Sequence, residues 1–237
     1  MTTRVRTPTR VRTPLPPPVR RARLLTPPGV YAPQCDTALL TRALYREDIG
    51  DAAPVLDLGT GSGALAVAAA RLGAEVTALD ISWRAVLTTR VNAFLAGQSV
   101  TVRRRDLTSY LPRGPYELVV SNPPYVPSLS WEPPRRGAAR AWDGGLDGRA
   151  LVDRVCDVGA RTLRTGGVLL IVHSALCGVD TTLSRLTGLG MDARVIDREL
   201  VPFGPVLRSR RAWLRRRDLI GEDEICEELV VIRAERS

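Results

Sequence analysis

The stretch that most limits what this chain can become is residues 55–63, Val-Leu-Asp-Leu-Gly-Thr-Gly-Ser-Gly. The short apolar run of Val55, Leu56 and Leu58 predicts a buried strand, and Gly59, Gly61 and Gly63 follow it at alternate positions. Residues 64–72 are Ala-rich and form helix readily. A strand that passes through glycines into a helix N-terminus is a place for a ligand. The glycines let the backbone approach closely, and the unpaired N–H groups of the first helical turn face the bound molecule.

The rest of the chain repeats the alternation. Residues 29–36 are an entry loop into a helix at 37–46, with Asp36 placed as N-cap. Strands are predicted at 75–80, 100–105, 116–121, 168–172, 193–200 and 229–233, and helices at 83–95, 150–164 and 180–189, the last stopped by Gly190. Apolar strands alternating with helices specify a doubly covered, mostly parallel sheet. The fold class is therefore α/β and Rossmann-like, with seven strands. No helix pattern separates the last two strands, so the seventh is expected to insert antiparallel. Two long connections, 127–148 and 202–228, follow strand C-terminal ends, the ligand side of such a sheet.

Composition narrows the function classes. All 34 basic residues are Arg, and the net charge is +9. Seven of these Arg and no acid fall within residues 1–28, leaving the remainder near +2, so the high pI is weak evidence for nucleic-acid binding. Those 28 residues also hold seven prolines and read as a disordered Arg/Pro-rich tail before one domain, 29–237. Cys35, Cys156, Cys177 and Cys226 are widely spaced with no C-x-x-C pair, so no metal site is expected and a reduced, cytoplasmic setting fits. The single His173 closes an apolar strand and reads as packing. No apolar run reaches the length of a membrane span.

The glycine motif also satisfies the dinucleotide fingerprint G-x-G-x-x-A, so it does not choose its ligand alone. Asp57, two residues before Gly59, is placed to meet the ammonium of an amino-acid-like ligand. Asp80 ends the second strand, where a carboxylate reaches ribose hydroxyls. Asp106 ends the third and could accept from an adenine amino group, with Leu107 offering its N–H. These acids point to S-adenosyl-L-methionine and away from NAD. The tetrapeptide Asn122-Pro123-Pro124-Tyr125 follows the fourth strand. An amide or exocyclic amine is a poor nucleophile because its lone pair is delocalised. The Asn122 side-chain oxygen and the Pro123 carbonyl can bond both its hydrogens, the prolines fix the turn, and Tyr125 can pack on the planar group.

With these residues in place, the chain resembles the HemK-like protein N5-glutamine methyltransferases, in particular their short single-domain branch. The resemblance runs through residues 30–37, Val-Tyr-Ala-Pro-Gln-Cys-Asp-Thr, the glycine motif, Asp80, Asp106-Leu107, the Asn122–Tyr125 tetrapeptide and Ala141-Trp142-Asp143-Gly144-Gly145-Leu146-Asp147-Gly148-Arg149. It implies a class I methyltransferase fold. Thr37, Asp57, Gly59, Asp80, Asp106, Leu107 and Asn122 would hold the cofactor, and Gly61 belongs to the same loop. Asn122, Pro123 and Tyr125 would hold the acceptor amide. It further implies a release factor as protein substrate, and a small zinc-binding activator subunit. Cys35 stands where that branch usually has Glu. The alternatives that the residues leave open are an adenine-N6 methyltransferase on DNA or RNA, a small-molecule N-methyltransferase, and a non-catalytic cofactor-binding protein. The connection 202–228 carries Arg208, Arg210, Arg211, Arg215, Arg216 and Arg217 around Trp213, and reads as a loop that docks a polyanionic surface.

Overall fold

A computed structural model describes residues 24–134 and 136–237. The tail expectation for residues 1–23 lies outside the described residues. Within residues 24–28, which the same expectation covers, Leu25 is held: its N–H donates to Asn92 Oδ1 at 2.8 Å, and its carbonyl accepts from Asn92 Nδ2 at 2.9 Å.

Among the described residues, seven strands form one sheet: β1 (Pro54–Leu58), β2 (Glu75–Asp80), β3 (Val100–Arg104), β4 (Tyr116–Ser121), β5 (Leu163–Ser174), β6 (Met191–Pro202) and β7 (Cys226–Arg236). Their order is β3-β2-β1-β4-β5-β7-β6. The first five pair in parallel, and β7 inserts antiparallel between β5 and β6, as the sequence predicts. Among the described residues, five α-helices pack on the sheet, α1 (Cys35–Leu44), α2 (Ala64–Ala70), α3 (Trp83–Leu95), α4 (Ala150–Thr162) and α5 (Val179–Gly188), and a sixth, α6 (Pro205–Arg216), lies in the connection between β6 and β7. Helices α1, α2 and α3 pack side by side as one layer, and α4 packs on α5.

The central strands are buried on both faces, which is why they read as continuous apolar runs. Leu169–Val172 in β5 and Val230–Ile232 in β7 have no exposed surface, and neither have Leu56 and Leu58 in β1. Full burial of one such side chain contributes about 2 kcal/mol. The sheet order places β1 between β2 and β4, and the chain leaves β1 towards one side and β4 towards the other. The crevice at that reversal is where open α/β sheets bind ligands.

Two sequence expectations are corrected. The N-cap of α1 is Gln34, not Asp36, and it makes no side-chain capping bond. Asp36 instead sits in the first turn, because two tyrosine hydroxyls claim its carboxylate. The connection 202–228 is not an open loop: residues 205–216 of it form α6, with Pro at its N-terminus where no N–H is needed. Its Leu207 and Leu214 pack with Phe203 and Ile220 into a second small core, and Trp213 lies against it. That packing accounts for the tryptophan, and the helical pattern is masked by five Arg within the helix and a sixth at its C-cap.

Candidate active site

The glycine turn is built by strain that only glycine relieves. Gly59, Gly61 and Gly63 have φ of 73°, 55° and 83°. A Cβ on Gly63 would stand 2.8 Å from Thr89 Cγ2, so α3 could not pack behind the turn. Helix α3 also holds the turn directly. Thr89 Oγ1 donates to the Gly61 carbonyl at 3.0 Å, and Asn92 Nδ2 donates to the Ser62 carbonyl at 2.8 Å. The sequence reading missed both supports, since a Thr and an Asn on a helix carry no signal of their own.

Parallel pairing lines up the strand ends. Leu58 is opposite Leu79 and Ser121, and Asp80 is opposite Arg104. Gly59, Asp80, Asp106 and Asn122 therefore come to one edge of the sheet. Asp80 accepts from the Gly61 N–H at 3.0 Å and from the Ser82 N–H at 2.8 Å, tying the turn to β2. Burial pushes its carboxyl up, and these backbone donors partly offset that. Asp106 accepts from the Thr108 N–H at 2.9 Å and from its hydroxyl at 2.7 Å. The Leu107 carbonyl accepts from Arg154 Nε, which fixes the backbone of that turn.

Asp57 has no exposed surface, and neither carboxylate oxygen has a hydrogen-bond partner of good geometry among the described residues. Burial pushes its carboxyl up to about 7; the nearby Thr60 hydroxyl opposes the rise, Asp80 adds to it, and the Ala66 amide opposes it. An orphaned buried carboxyl beside a glycine turn is suited to a cationic group, whose arrival would supply the missing partner.

The tetrapeptide leaves β4 directly, anchored by Ser121 Oγ donating to the Leu58 carbonyl at 2.7 Å. Its two ends meet at one carboxylate. Asn122 Nδ2 donates to Thr37 Oγ1 at 3.2 Å, and Thr37 Oγ1 donates to Asp36 Oδ1 at 3.1 Å. Tyr125 OH donates to Asp36 Oδ2 at 3.1 Å, and Tyr31 OH donates to the same oxygen at 2.7 Å. The Thr37 N–H completes the set at 2.5 Å. Asp36 is thus the hub of the site, a role hidden behind its expected capping function. Tyr125 is buried, and burial followed by the Asp36 charge holds its phenol well above its ordinary range. With Nδ2 committed to Thr37, the Asn122 amide is oriented and its oxygen is left to accept.

The connection 127–148 folds back on this turn. Val126 N–H donates to the Trp142 carbonyl at 2.8 Å, and Gly144 N–H to the Val126 carbonyl at 2.9 Å. Cys177 Sγ donates to the Tyr125 carbonyl at 3.0 Å, and a Cβ on Gly148 would lie 2.3 Å from that oxygen. Arg149 is buried and donates to the Cys177 and Gly178 carbonyls and to Thr182, so the end of the connection is locked to the start of α5. Arg210 of α6 forms an ion pair with Asp143 at 2.6 Å and donates to the Pro127 carbonyl at 2.8 Å. Arg211 donates to the Glu224 carbonyl. His173 is buried with Nδ1 2.8 Å from the Ser174 carbonyl, and burial lowers it to about 4, in keeping with a packing role.

Comparison with known proteins bears on what this geometry serves. Residues 21–132 match the family described as the methyltransferase small domain. A relative from Methanocaldococcus jannaschii, whose name assigns it as a protein N5-glutamine methyltransferase, is 33% identical over 177 residues, covering 74% of this chain and 88% of the relative. The chain belongs to the protein N5-glutamine methyltransferase family. The methyltransferase is also 39% identical over 167 residues to the release factor glutamine methyltransferase of Mycolicibacterium smegmatis, covering 67% of this chain and 57% of that protein. It therefore spans little more than half the length of that longer relative. Among solved structures, the E. cuniculi Mtq2–Trm112 complex, described as methylating the eRF1 translation termination factor, superposes with a TM-score of 0.60. The identity is 25%, over 88% of this methyltransferase and 99% of that chain. The T. thermophilus 16S rRNA N2 G1207 methyltransferase, solved with AdoMet and guanosine, shares the fold at a TM-score of 0.58 and 20% identity, covering 87% and 44%.

Proposed function

We propose that this methyltransferase uses S-adenosyl-L-methionine to methylate the side-chain amide nitrogen of a glutamine in a release-factor-like protein. The observation that carries the reading is the hydrogen-bonded chain from Asn122 through Thr37 to Asp36, which fixes the amide of Asn122 with its oxygen free of partners among the described residues. When bound, the cofactor supplies an electrophilic methyl group. The orphaned Asp57 carboxyl suits its ammonium, Asp80 its ribose hydroxyls, and Asp106 with Leu107 its adenine, around the turn of Gly59 and Gly61. Thr37 and Asn122 border the same space.

The chain's own residues act on the acceptor. Asn122 Oδ1 and the Pro123 carbonyl accept the two amide hydrogens, which increases electron density on nitrogen and points its lone pair at the methyl group. Tyr125, held by Asp36, closes the turn on which both acceptors ride. Pre-aligned polar contacts of this kind need no reorganisation when charge develops, so alignment and electrostatics supply most of the rate gain. The product nitrogen is acidic and releases its proton without a dedicated base.

The longer relatives are named for release factors and the Mtq2 structure contains a second chain, Trm112. We accordingly assign this methyltransferase a release-factor-like acceptor, a small activator subunit and a cytoplasmic setting. No described helix is long and apolar enough to cross a membrane. Incubation with the methyl donor and a glutamine-containing release-factor peptide, with and without that type of subunit, tests the reading. A mass gain of one methyl on Gln is the expected result. Methylation of adenine in oligonucleotides, with the peptide untouched, would overturn it.

A further inference from the structure

One arginine of α6 is turned inward. Arg210 lies three positions after Leu207 and four before Leu214, so it shares the side of the helix that packs with Phe203 and Ile220. Its side chain is 15% exposed, and that of Asp143, which it meets, is 10% exposed. Arg210 Nη1 stands 2.6 Å from Asp143 Oδ1 and donates to the Pro127 carbonyl at 2.8 Å. One nitrogen thereby joins the outgoing arm of the connection 127–148, at Pro127, to its returning arm, at Asp143.

The same arms are paired through the backbone. Val126 and Asp143 form an isolated parallel bridge, with the Val126 N–H donating to the Trp142 carbonyl and the Gly144 N–H to the Val126 carbonyl. Val126 follows Tyr125 directly, and it packs against the small core that holds α6. A continuous path therefore runs from α6 through Arg210 to the end of the Asn122–Tyr125 turn. No hydrogen bond of good geometry reaches Asp143 Oδ1 among the described residues, so the Arg210 guanidinium is what answers its charge. Removing one partner of such a pair leaves an uncompensated buried charge, and the arms must part to let water reach it. The donor side has other anchors. Asp80 ties the glycine turn to β2, and Thr89 and Asn92 hold it from α3.

We propose that Arg210 is a positioning residue for the acceptor amide. With Asp143 it clamps the root of the connection 127–148, which keeps Tyr125 and the Pro123 carbonyl where the acceptor's hydrogens must meet them. It does so without bearing on the donor. Arginine suits the task because its guanidinium stays charged and presents its donors in a rigid fork. A lysine ammonium reaches the same carboxylate as a point charge, without the fork. The clamp gives α6 a part in the reaction beyond closing its own small core.

The inference rests on the reading of Asn122 and Pro123 as the acceptor site, and its test separates the two. Methylation of a glutamine peptide is measured for the wild type, Arg210→Ala and Arg210→Lys, with donor affinity and binding stoichiometry taken from calorimetry. Arg210→Ala should lower kcat roughly tenfold at saturating donor and peptide, as a loss of about 1.4 kcal/mol in alignment gives. Its donor Kd should stay within about twofold of the wild type, at full stoichiometry. Arg210→Lys, which keeps the charge against Asp143, should recover about half of the wild-type kcat or more. A merely structural role would instead lower donor affinity or stoichiometry in step with kcat. Should Arg210→Ala bind donor at reduced stoichiometry, Asp143→Asn takes its place. That variant removes the charge at the other end of the clamp, keeps its shape, and should show the same loss in kcat with donor affinity intact. A wild-type kcat in the variant used, a donor affinity that falls with kcat, or an equal loss in Arg210→Lys would overturn the inference and leave the proposed function standing. No peptide methylation by the wild type would overturn both.

Discussion

Replacing Thr37 by Val removes one hydroxyl from the site while keeping its volume and branching. That hydroxyl accepts from Asn122 Nδ2 at 3.2 Å and donates to Asp36 Oδ1 at 3.1 Å, and Thr37 is only 6% exposed. No other hydrogen bond orients the Asn122 side chain among the described residues. Without it the amide can turn over and offer NH₂ where the acceptor needs an oxygen. One neutral hydrogen bond contributes about 0.5–1.5 kcal/mol net. The fall in kcat for a glutamine peptide should then lie between roughly twofold and tenfold. Folding stability should drop by about 1 kcal/mol, since Asp36 keeps three of its four donors. Thr37→Ser, which restores the hydroxyl, should recover most of the rate. Steady-state methylation of the peptide, with donor affinity measured separately by calorimetry, distinguishes alignment from binding. A wild-type kcat in Thr37→Val, or an equal loss in Thr37→Ser, would refute the argument that this hydroxyl sets the amide's orientation.

Further outcomes follow from the same geometry. Asn122→Ala should lower turnover by roughly two to three orders of magnitude while the protein still folds, as loss of a pre-organised contact does elsewhere; circular dichroism and peptide methylation check both. Asp80→Ala should weaken donor binding at least about tenfold by calorimetry, because it removes the proposed ribose acceptor and the anchor of the Gly61 N–H together. Asp57, raised to about 7, binds a cationic ligand best when ionised, so donor affinity should rise with pH through about 7 and stay flat in Asp57→Asn. For the donor-free protein the sign is opposite. Asp57 is protonated in the folded state and ionised in the unfolded state between its ordinary value and about 7, so thermal stability falls as pH rises through that window. Replacing the exposed Arg208, Arg216 and Arg217 by Gln should raise KM for a whole-protein acceptor and spare a short peptide. Equal effects on both would make these charges a solvated face.

What the sequence alone determined is local or periodic. Alternating glycines after an apolar run require a strand, a turn and a helix, and apolar runs at regular spacing require a doubly covered sheet. The acids at successive strand ends and the Asn122–Tyr125 turn stand out by residue type, so the four strand ends that meet at one edge of the sheet were legible before any coordinates. Only the tertiary structure decided how they are held. Asp36 reads as a helix cap because capping is a local rule, yet the donors it finds include Tyr125, 89 positions away. Asn92 and Thr89 support the glycine turn from a helix that in sequence is merely the next element. The six arginines hid an amphipathic helix, because charge dominates composition while Leu207, Trp213 and Leu214 decide which face is buried. Chain pattern fixes what each segment forms, but long-range packing fixes which buried charge has a partner, and in this site that decides the geometry at the acceptor.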